Sequence, residues 1–225
     1  MNEFRNFGFV FVLLVSSAGL VFGNEVAVET SAESAVAESA EDVRPLLIGA
    51  EIPEVTLKTA QGNEINLKET VAERPVVVIF YRGGWCPYCN MQLGQLQSIE
   101  ADLLDLGYQL LGISPDRPDK LSESLKKKDL SYTLLSDSGM AAAKAFGIAF
   151  RVADATLEQY EQHDIDLEEA AGEKHHLLPV PSVFIIGTDA RIKFTYVNPD
   201  YKTRLAPDVL LEAAKAALEQ APDEE

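Results

Sequence analysis

The sequence predicts a three-layer α/β/α domain with a central mixed sheet. Three observations carry that expectation. From Leu46 onward, short apolar runs alternate with helical patterns; the series ends in a hairpin and a helix; and the only two cysteines sit where one strand run passes into a helix. The 225 residues, 47% of them hydrophobic, allow one large domain or two small ones, and the unbroken alternation favours one.

The first element is Ile65-Asn66-Leu67, a strand after the turn Gln61-Gly62-Asn63. Pro75-Val76-Val77-Val78-Ile79-Phe80-Tyr81 reads as a buried strand, because β-branched and aromatic residues fill a short continuous apolar run. Leu93, Leu96, Ile99, Leu103 and Leu104 then recur at helical spacing until Gly107, a residue suited to ending a helix. Tyr108 to Ile113 is a second core strand, broken by Ser114-Pro115-Asp116. Pro118 opens a helix with Leu121 and Leu125 inward, ending near Lys126 to Lys128, where cations suit the negative helix end. Tyr132 to Leu135 is a short strand, and Asp137 or Ser138 caps a helix running to Gly147. Residues 148–178 are less regular, with a helical piece around Ala155 to Gln162, and read as an insertion or lid. Ser182 to Ile186, the turn Gly187-Thr188-Asp189-Ala190 and Ile192 to Val197 form a hairpin; Pro207 opens a last helix with Leu210, Ala214 and Leu218 on its buried stripe.

The N-terminal extension divides in two. Phe7 to Val21 is apolar, follows Arg5 and precedes the small-residue site Val21-Phe22-Gly23, so 1–23 reads as a secretory signal peptide; an uncleaved membrane anchor is the alternative. Residues 24–44 are rich in Ala, Glu, Ser and Val, and read as a disordered acidic linker before a domain spanning 45–221. The expectation is an exported protein, in the periplasm or another extracytoplasmic space, touching membrane only if the N-terminal segment stays uncleaved. A net charge of −17 argues against nucleic acid and anionic membrane surfaces as partners, because both would repel it.

The chemistry is concentrated in Trp85-Cys86-Pro87-Tyr88-Cys89. Two thiols two residues apart form a reversible disulfide. A bridge over so short a loop removes little entropy from the unfolded chain and makes a poor staple, so a redox role is favoured over a structural one. Backbone N–H groups and the helix dipole at the helix start favour a thiolate. Cys86, at the mouth of the turn, is the expected exposed attacking sulfur, and Cys89, one turn into the helix, closes the disulfide from behind. Arg82 is a candidate cation beside the thiolate, Gly83 and Gly84 allow a tight turn, and Trp85 is a platform beside the sulfurs. Tyr88 tunes exposure, and the histidines His163, His175 and His176 read as surface or lid residues, although the 175/176 pair lies shortly before Pro181.

With these residues the chain resembles thioredoxin-fold proteins of the alkyl hydroperoxide reductase/thiol-specific antioxidant (AhpC/TSA) redoxin group, from about Ile48 to Leu218. Strand, Trp-Cys-x-x-Cys and helix match the thioredoxin signature; Pro181, directly before a strand, matches that family's cis-proline, which borders the cysteine pair. Leu111-Gly112-Ile113-Ser114, Leu135-Ser136-Asp137 and Ala145-Phe146-Gly147 resemble peroxiredoxin segments. The active site departs from the peroxiredoxin pattern: Arg82 stands where that family has proline, Cys86 where it has threonine, and Pro181 where it has arginine, leaving Cys89 on the peroxidatic position. Two assignments therefore stand. In one Cys86 attacks and Cys89 resolves; in the other the roles are reversed.

The resemblance implies a dithiol oxidoreductase that reduces a hydroperoxide, or alternatively a protein disulfide, with the cysteine pair as its redox centre, no added cofactor and a separate thioredoxin-like thiol donor. A reading of another class is a copper-binding metallochaperone, since two thiolates and an imidazole suit Cu(I); those proteins place three residues between the cysteines, and this chain has two.

Overall fold

The strand runs of the sequence become strands in a computed structural model, which describes Met1, residues 36–128 and residues 130–219. Apart from Met1, the expected signal peptide lies outside the described residues, as does 24–35 of the expected linker. In chain order the elements are β1 (Thr56–Thr59), β2 (Glu64–Asn66), α1 (Leu67–Glu73), β3 (Val76–Phe80), α2 (Pro87–Gln97), α3 (Glu100–Asp105), β4 (Gln109–Ser114), α4 (Pro118–Lys128) and β5 (Thr133–Ser136). There follow α5 (Ala141–Ala145), β6 (Ala149–Arg151), α6 (Asp154–Glu161), α7 (Leu167–Ala171), β7 (Leu177–Pro179), β8 (Ser182–Ile186), β9 (Ile192–Val197) and α8 (Pro207–Glu219).

Seven strands form one mixed sheet in the order β2-β1-β5-β4-β3-β8-β9, parallel between β3 and β4 and between β4 and β5, antiparallel elsewhere. β3 lies between β4 and β8, so all five of its residues are buried, as its unbroken apolar run requires. Alternate side chains feed two cores. Val76, Val78 and Phe80 join Phe146, Phe184 and the α1 residues Leu67 and Val71 on one face. Val77, Ile79 and Tyr81 join Leu93, Leu121, Leu210 and Ala214, from α2, α4 and α8, on the other. Both cysteines belong to this second core. Helices thus cover both faces, and the three-layer expectation holds.

Several boundaries differ from expectation for identifiable reasons. Asn66 ends β2 rather than continuing it, because its side-chain oxygen accepts from the Lys68 and Glu69 amides at 2.8 and 3.2 Å and starts α1. The long helix expected to reach Gly107 breaks into α2 and α3, where the Ser98 hydroxyl takes the Gln95 carbonyl at 2.7 Å. Leu104 is consequently exposed, and on α8 Ala217 takes the inward place expected of Leu218. The α5 cap is as expected in substance: the Asp137 carboxylate accepts from the Ala142 and Ala143 amides at 3.0 and 2.8 Å. Residues 148–178 are more regular than expected. β6 and β7 form a two-stranded sheet, and Val152, Leu167 and Leu178 make a small core on which Trp85 and Tyr160 pack.

The acidic linker was expected to run to residue 44, yet the chain joins the fold from Ala37. The Ala37 amide donates to Ala149 O at 3.1 Å and the Arg151 amide to Ala37 O at 2.9 Å, which pairs an edge of β6 that would otherwise be bare. The Arg44 amide donates to Gly147 O at 3.0 Å. Among the described residues no helix is long and apolar enough to cross a membrane.

Gly147 is the hinge of this docking. Its φ of 70° is left-handed, and a Cβ there would stand 2.0 Å from Arg44 O. Gly147→Ala is expected to cost about 1–3 kcal/mol by urea denaturation and to expose residues 37–46 to limited proteolysis. Unchanged stability and protease resistance would show that the arm docks independently of this turn.

Candidate active site

β3 ends by delivering Tyr81 and Arg82 to a turn, Gly83 to Trp85, that leads into α2. Gly83 has φ 145°, and a Cβ there would meet Trp85 Nε1 at 2.4 Å, so the turn requires glycine. The Asp116 carboxylate, at the end of β4, pins the turn by accepting from the Gly84 amide at 2.7 Å and the Ser114 hydroxyl at 3.1 Å. The Asn90 side-chain amide donates to Gly84 O at 2.8 Å from the other side. Burial nevertheless pushes the Asp116 carboxyl up to about 6, the hydrogen bonds opposing it only in part.

Cys86 occupies the N-cap of α2, and Pro87 follows at the first helical position, where its missing N–H costs nothing. Both cysteines are free thiols. The Cys86 thiol is lowered to about 6, chiefly by the hydrogen bond from the Cys89 thiol, with burial opposing and the Cys89 amide, Arg82 and Arg204 assisting. Cys89 moves the other way. Burial raises it well above the usual thiol range, its bond to Cys86 and the charge on Cys86 add to this, and Arg204 opposes. The opposite shifts favour ionisation of Cys86 before Cys89.

Cys86 was expected to be exposed; it is only 1% exposed, and Cys89 is fully buried. The reason is that the Cys86 sulfur turns inward to Cys89 while Trp85 and Tyr88 pack on the same core.

Two guanidinium groups flank the pair. Arg82, 4% exposed, donates from Nη2 to the Tyr160 hydroxyl and lies 5.1, 5.6 and 4.1 Å from the ring centroids of Trp85, Tyr160 and Tyr201. Arg204, just before α8, points Nη2 at the Cys89 sulfur at 3.5 Å, donates from Nη1 to Thr203 O, and leaves Nε buried without a partner. Neither arginine forms a salt bridge among the described residues. Aromatic faces lower the cost of burying a cation but do not neutralise it; a thiolate does. A cavity of about 270 Å³ opens beside Arg82, lined in part by Phe150, Val152, Tyr160, Pro181 and Tyr201.

Of the residues singled out in the sequence, the structure brings Arg82, Trp85, Cys86 and Cys89 together and places Pro181 on the cavity wall beside Arg82. The cis expectation for Pro181 is not met: no peptide bond among the described residues is cis. The extended trans chain suits the neighbouring ladder, in which the Val180 amide donates to Ile148 O at 2.8 Å and the Asn198 amide to Pro181 O at 3.3 Å. The histidines stay away from the sulfurs. His175 bonds Ser138 O and the Leu177 amide, His176 bonds Glu168, and His163 bonds Gln159 O. No cluster of three potential metal ligands occurs among the described residues, so the ligand set of the copper reading is not assembled.

Sequence reasoning missed Asp116, Tyr160, Tyr201 and Arg204. Each lies in a stretch read as a breaker, insertion or connection. A lone arginine 115 residues beyond Cys89 carries no local signal of its target.

The AhpC/TSA family pattern matches residues 48–195. Over 106 residues the chain is 35% identical to peroxiredoxin Bcp of Escherichia coli, covering 47% of this chain and 67% of that protein. Among solved structures, peroxidoxin BcpB of Mycobacterium tuberculosis superposes with TM-score 0.60 at 19% identity, over 78% of this chain and 98% of that one. Reduced Prx3 of Vibrio vulnificus, solved with H2O2, gives 0.62 at 16% identity over 75% and 99%. These two likenesses concern the fold.

Because Cys86 titrates about 6, its alkylation rate is expected to rise with pH through that value and level off above it, whereas an ordinary thiol rises through about 8.5. Arg82→Gln is expected to move the midpoint upward and slow alkylation at pH 6.5 by about three- to tenfold. Iodoacetamide kinetics with peptide mapping would check both; a wild-type midpoint above 8 would contradict the arrangement.

Proposed function

The chain belongs to the AhpC/TSA family and is a peroxiredoxin-like, thiol-dependent oxidoreductase, and on that premise we propose that it reduces hydroperoxides through the Cys86/Cys89 pair, with Cys86 attacking. The Cys86 thiolate attacks the hydroperoxide; an S–O bond forms, the O–O bond breaks, and the departing oxygen takes a proton and leaves as alcohol or water. Cys86 is now a sulfenic acid. The Cys89 sulfur attacks it, the disulfide forms, and hydroxide leaves and is protonated. A thiol donor then returns two electrons and two protons.

One observation carries this order: Cys86 stands at the N-cap of α2, where its thiol is lowered, while burial raises Cys89, so Cys86 is favoured as the ionised nucleophile. Arg82 supports it twice, since a fixed guanidinium favours the thiolate before reaction and the negative charge growing on the departing oxygen during it. The reverse order has its own support in Arg204, 3.5 Å from a Cys89 that occupies the family's peroxidatic position. Burial of Cys89 weighs against that order, because a protonated thiol is a poor nucleophile. The tight cover over Cys86 favours a small peroxide over a folded protein disulfide as its first partner.

Single-turnover oxidation with hydrogen peroxide separates these readings. Cys86→Ser is expected to abolish rapid oxidation. Cys89→Ser is expected to react once and stop as a Cys86 sulfenic acid, visible by intact mass after dimedone trapping. Rapid peroxide consumption by Cys86→Ser would transfer the attack to Cys89, and oxidation of wild type only by a protein disulfide would remove the peroxidase role.

Export completes the proposal. It is supported by the apolar run Phe7 to Val21 and the small residue Gly23 that follows. N-terminal sequencing of the protein from an extracytoplasmic fraction is expected to find a mature chain starting near Asn24; a cytoplasmic chain starting at Met1 would count against it.

A further inference from the structure

In an attack that starts at Cys86, Arg204 helps to lower the Cys86 thiol, yet its direct contact is with the other sulfur, Cys89. That contact is chemically specific. The guanidinium approaches the buried sulfur at 3.5 Å, carries a buried Nε with no hydrogen-bond partner, and forms no salt bridge among the described residues. The position at which peroxiredoxins place their site arginine is occupied here by Pro181, so the loop between β9 and α8 supplies a cation that the strand does not.

We propose that Arg204 is a positioning residue for the second half of the reaction, holding the Cys89 sulfur as a thiolate and aimed at Cys86 while it attacks the sulfenic acid. The inference rests on the attack order given above. Before oxidation, the Cys86 thiolate accepts the Cys89 hydrogen bond and offers both arginines one negative charge. Oxidation of Cys86 to a neutral sulfenic acid removes that charge and the acceptor of the Cys89 proton. Arg204, whose charge also reaches the exposed Asp200 carboxylate, then faces a neutral thiol on its buried side, and ionisation of that thiol restores a counter-charge there. The proton leaves to solvent and returns on the departing hydroxide, so the step releases one water and forms one S–S bond. The other groups facing Cys89 do not supply this. Cys86 caps the same helix, Tyr81 just after β3 is neutral and fully buried, and Arg82 meets Cys89 through its backbone while its guanidinium is held by Tyr160 and the rings.

The size of the effect follows from two opposed terms. Removing a nearby cation raises a thiol by about one to three pH units, which lowers the thiolate fraction tenfold per unit. The more basic thiolate is a better nucleophile, with a Brønsted slope of about 0.4–0.5, which returns roughly half of that on a logarithmic scale. Resolution is therefore expected to slow by about three- to thirtyfold.

The test is rapid-quench oxidation of full-length protein by hydrogen peroxide, with dimedone trapping and peptide mapping across pH 5.5 to 9, for wild type, Arg204→Gln and Arg204→Lys. In Arg204→Gln the Cys86 sulfenic acid is expected to live about three- to thirtyfold longer at pH 7, with the midpoint of resolution shifted upward and sulfenic acid formation slowed less than resolution. Arg204→Lys is expected to recover most of the rate. A sulfenic lifetime and pH midpoint equal to wild type would overturn the proposal while leaving the attack order intact. Trapped adduct on Cys89 in the wild-type protein would overturn the attack order itself. Equal slowing in Arg204→Gln and Arg204→Lys, with no pH shift, would show a packing role and overturn the electrostatic one.

Discussion

Two buried or half-buried guanidinium groups that form no salt bridge among the described residues set the terms for the rest of this molecule. Arginine does not deprotonate inside a protein, so a charge taken out of water has to be met by an anion or spread over polarisable faces. Here the rings of Trp85, Tyr160 and Tyr201 do the second and the thiol pair does the first. In a chain with a net charge of −17, these two cations form no salt bridge among the described residues, and Arg204 reaches the Asp200 carboxylate only at longer range. Thiolate chemistry is the use that the neighbouring groups permit.

The sheet makes this possible. β3 is held on both edges, which fixes where Tyr81 and Arg82 emerge, and the pinned glycine turn converts that direction into the start of α2. Every other contribution arrives from far along the chain: Asp116 after β4, Tyr160 from α6, Tyr201 and Arg204 from the connection between β9 and α8. The strand and helix provide the sulfurs, and the later segments add the second arginine, the hydroxyl that holds Arg82 and the carboxylate that pins the turn.

That division explains what could be read in the sequence. β3, β4, β5, β8 and β9 were legible because a buried strand writes itself as a local apolar run, and the cysteine pair was legible because its spacing is chemically unusual for a staple. The resemblance to AhpC/TSA proteins rested on the same local features, and the family pattern over 48–195 bears it out. The exposure of Cys86 and the isomer of Pro181 were not legible, since one depends on a hydrogen bond between two side chains and the other on a ladder partner. Arg204 was invisible for a simpler reason: its target is set by tertiary folding, and nothing in its neighbours distinguishes it from a solvated surface residue.

The distance in sequence between the thiols and their activators has a consequence in time. A ribosome making this chain completes both cysteines well before Tyr160, 78 residues beyond Arg82, and before Arg204, 115 residues beyond Cys89. Until those segments exist and dock, Cys86 has neither its caged cation nor the enclosure that places Cys89 against it, and it titrates as an ordinary thiol in water. Full activation of Cys86 therefore requires the folded chain through Arg204, and an unfinished or unfolded copy carries it only as an ordinary thiol.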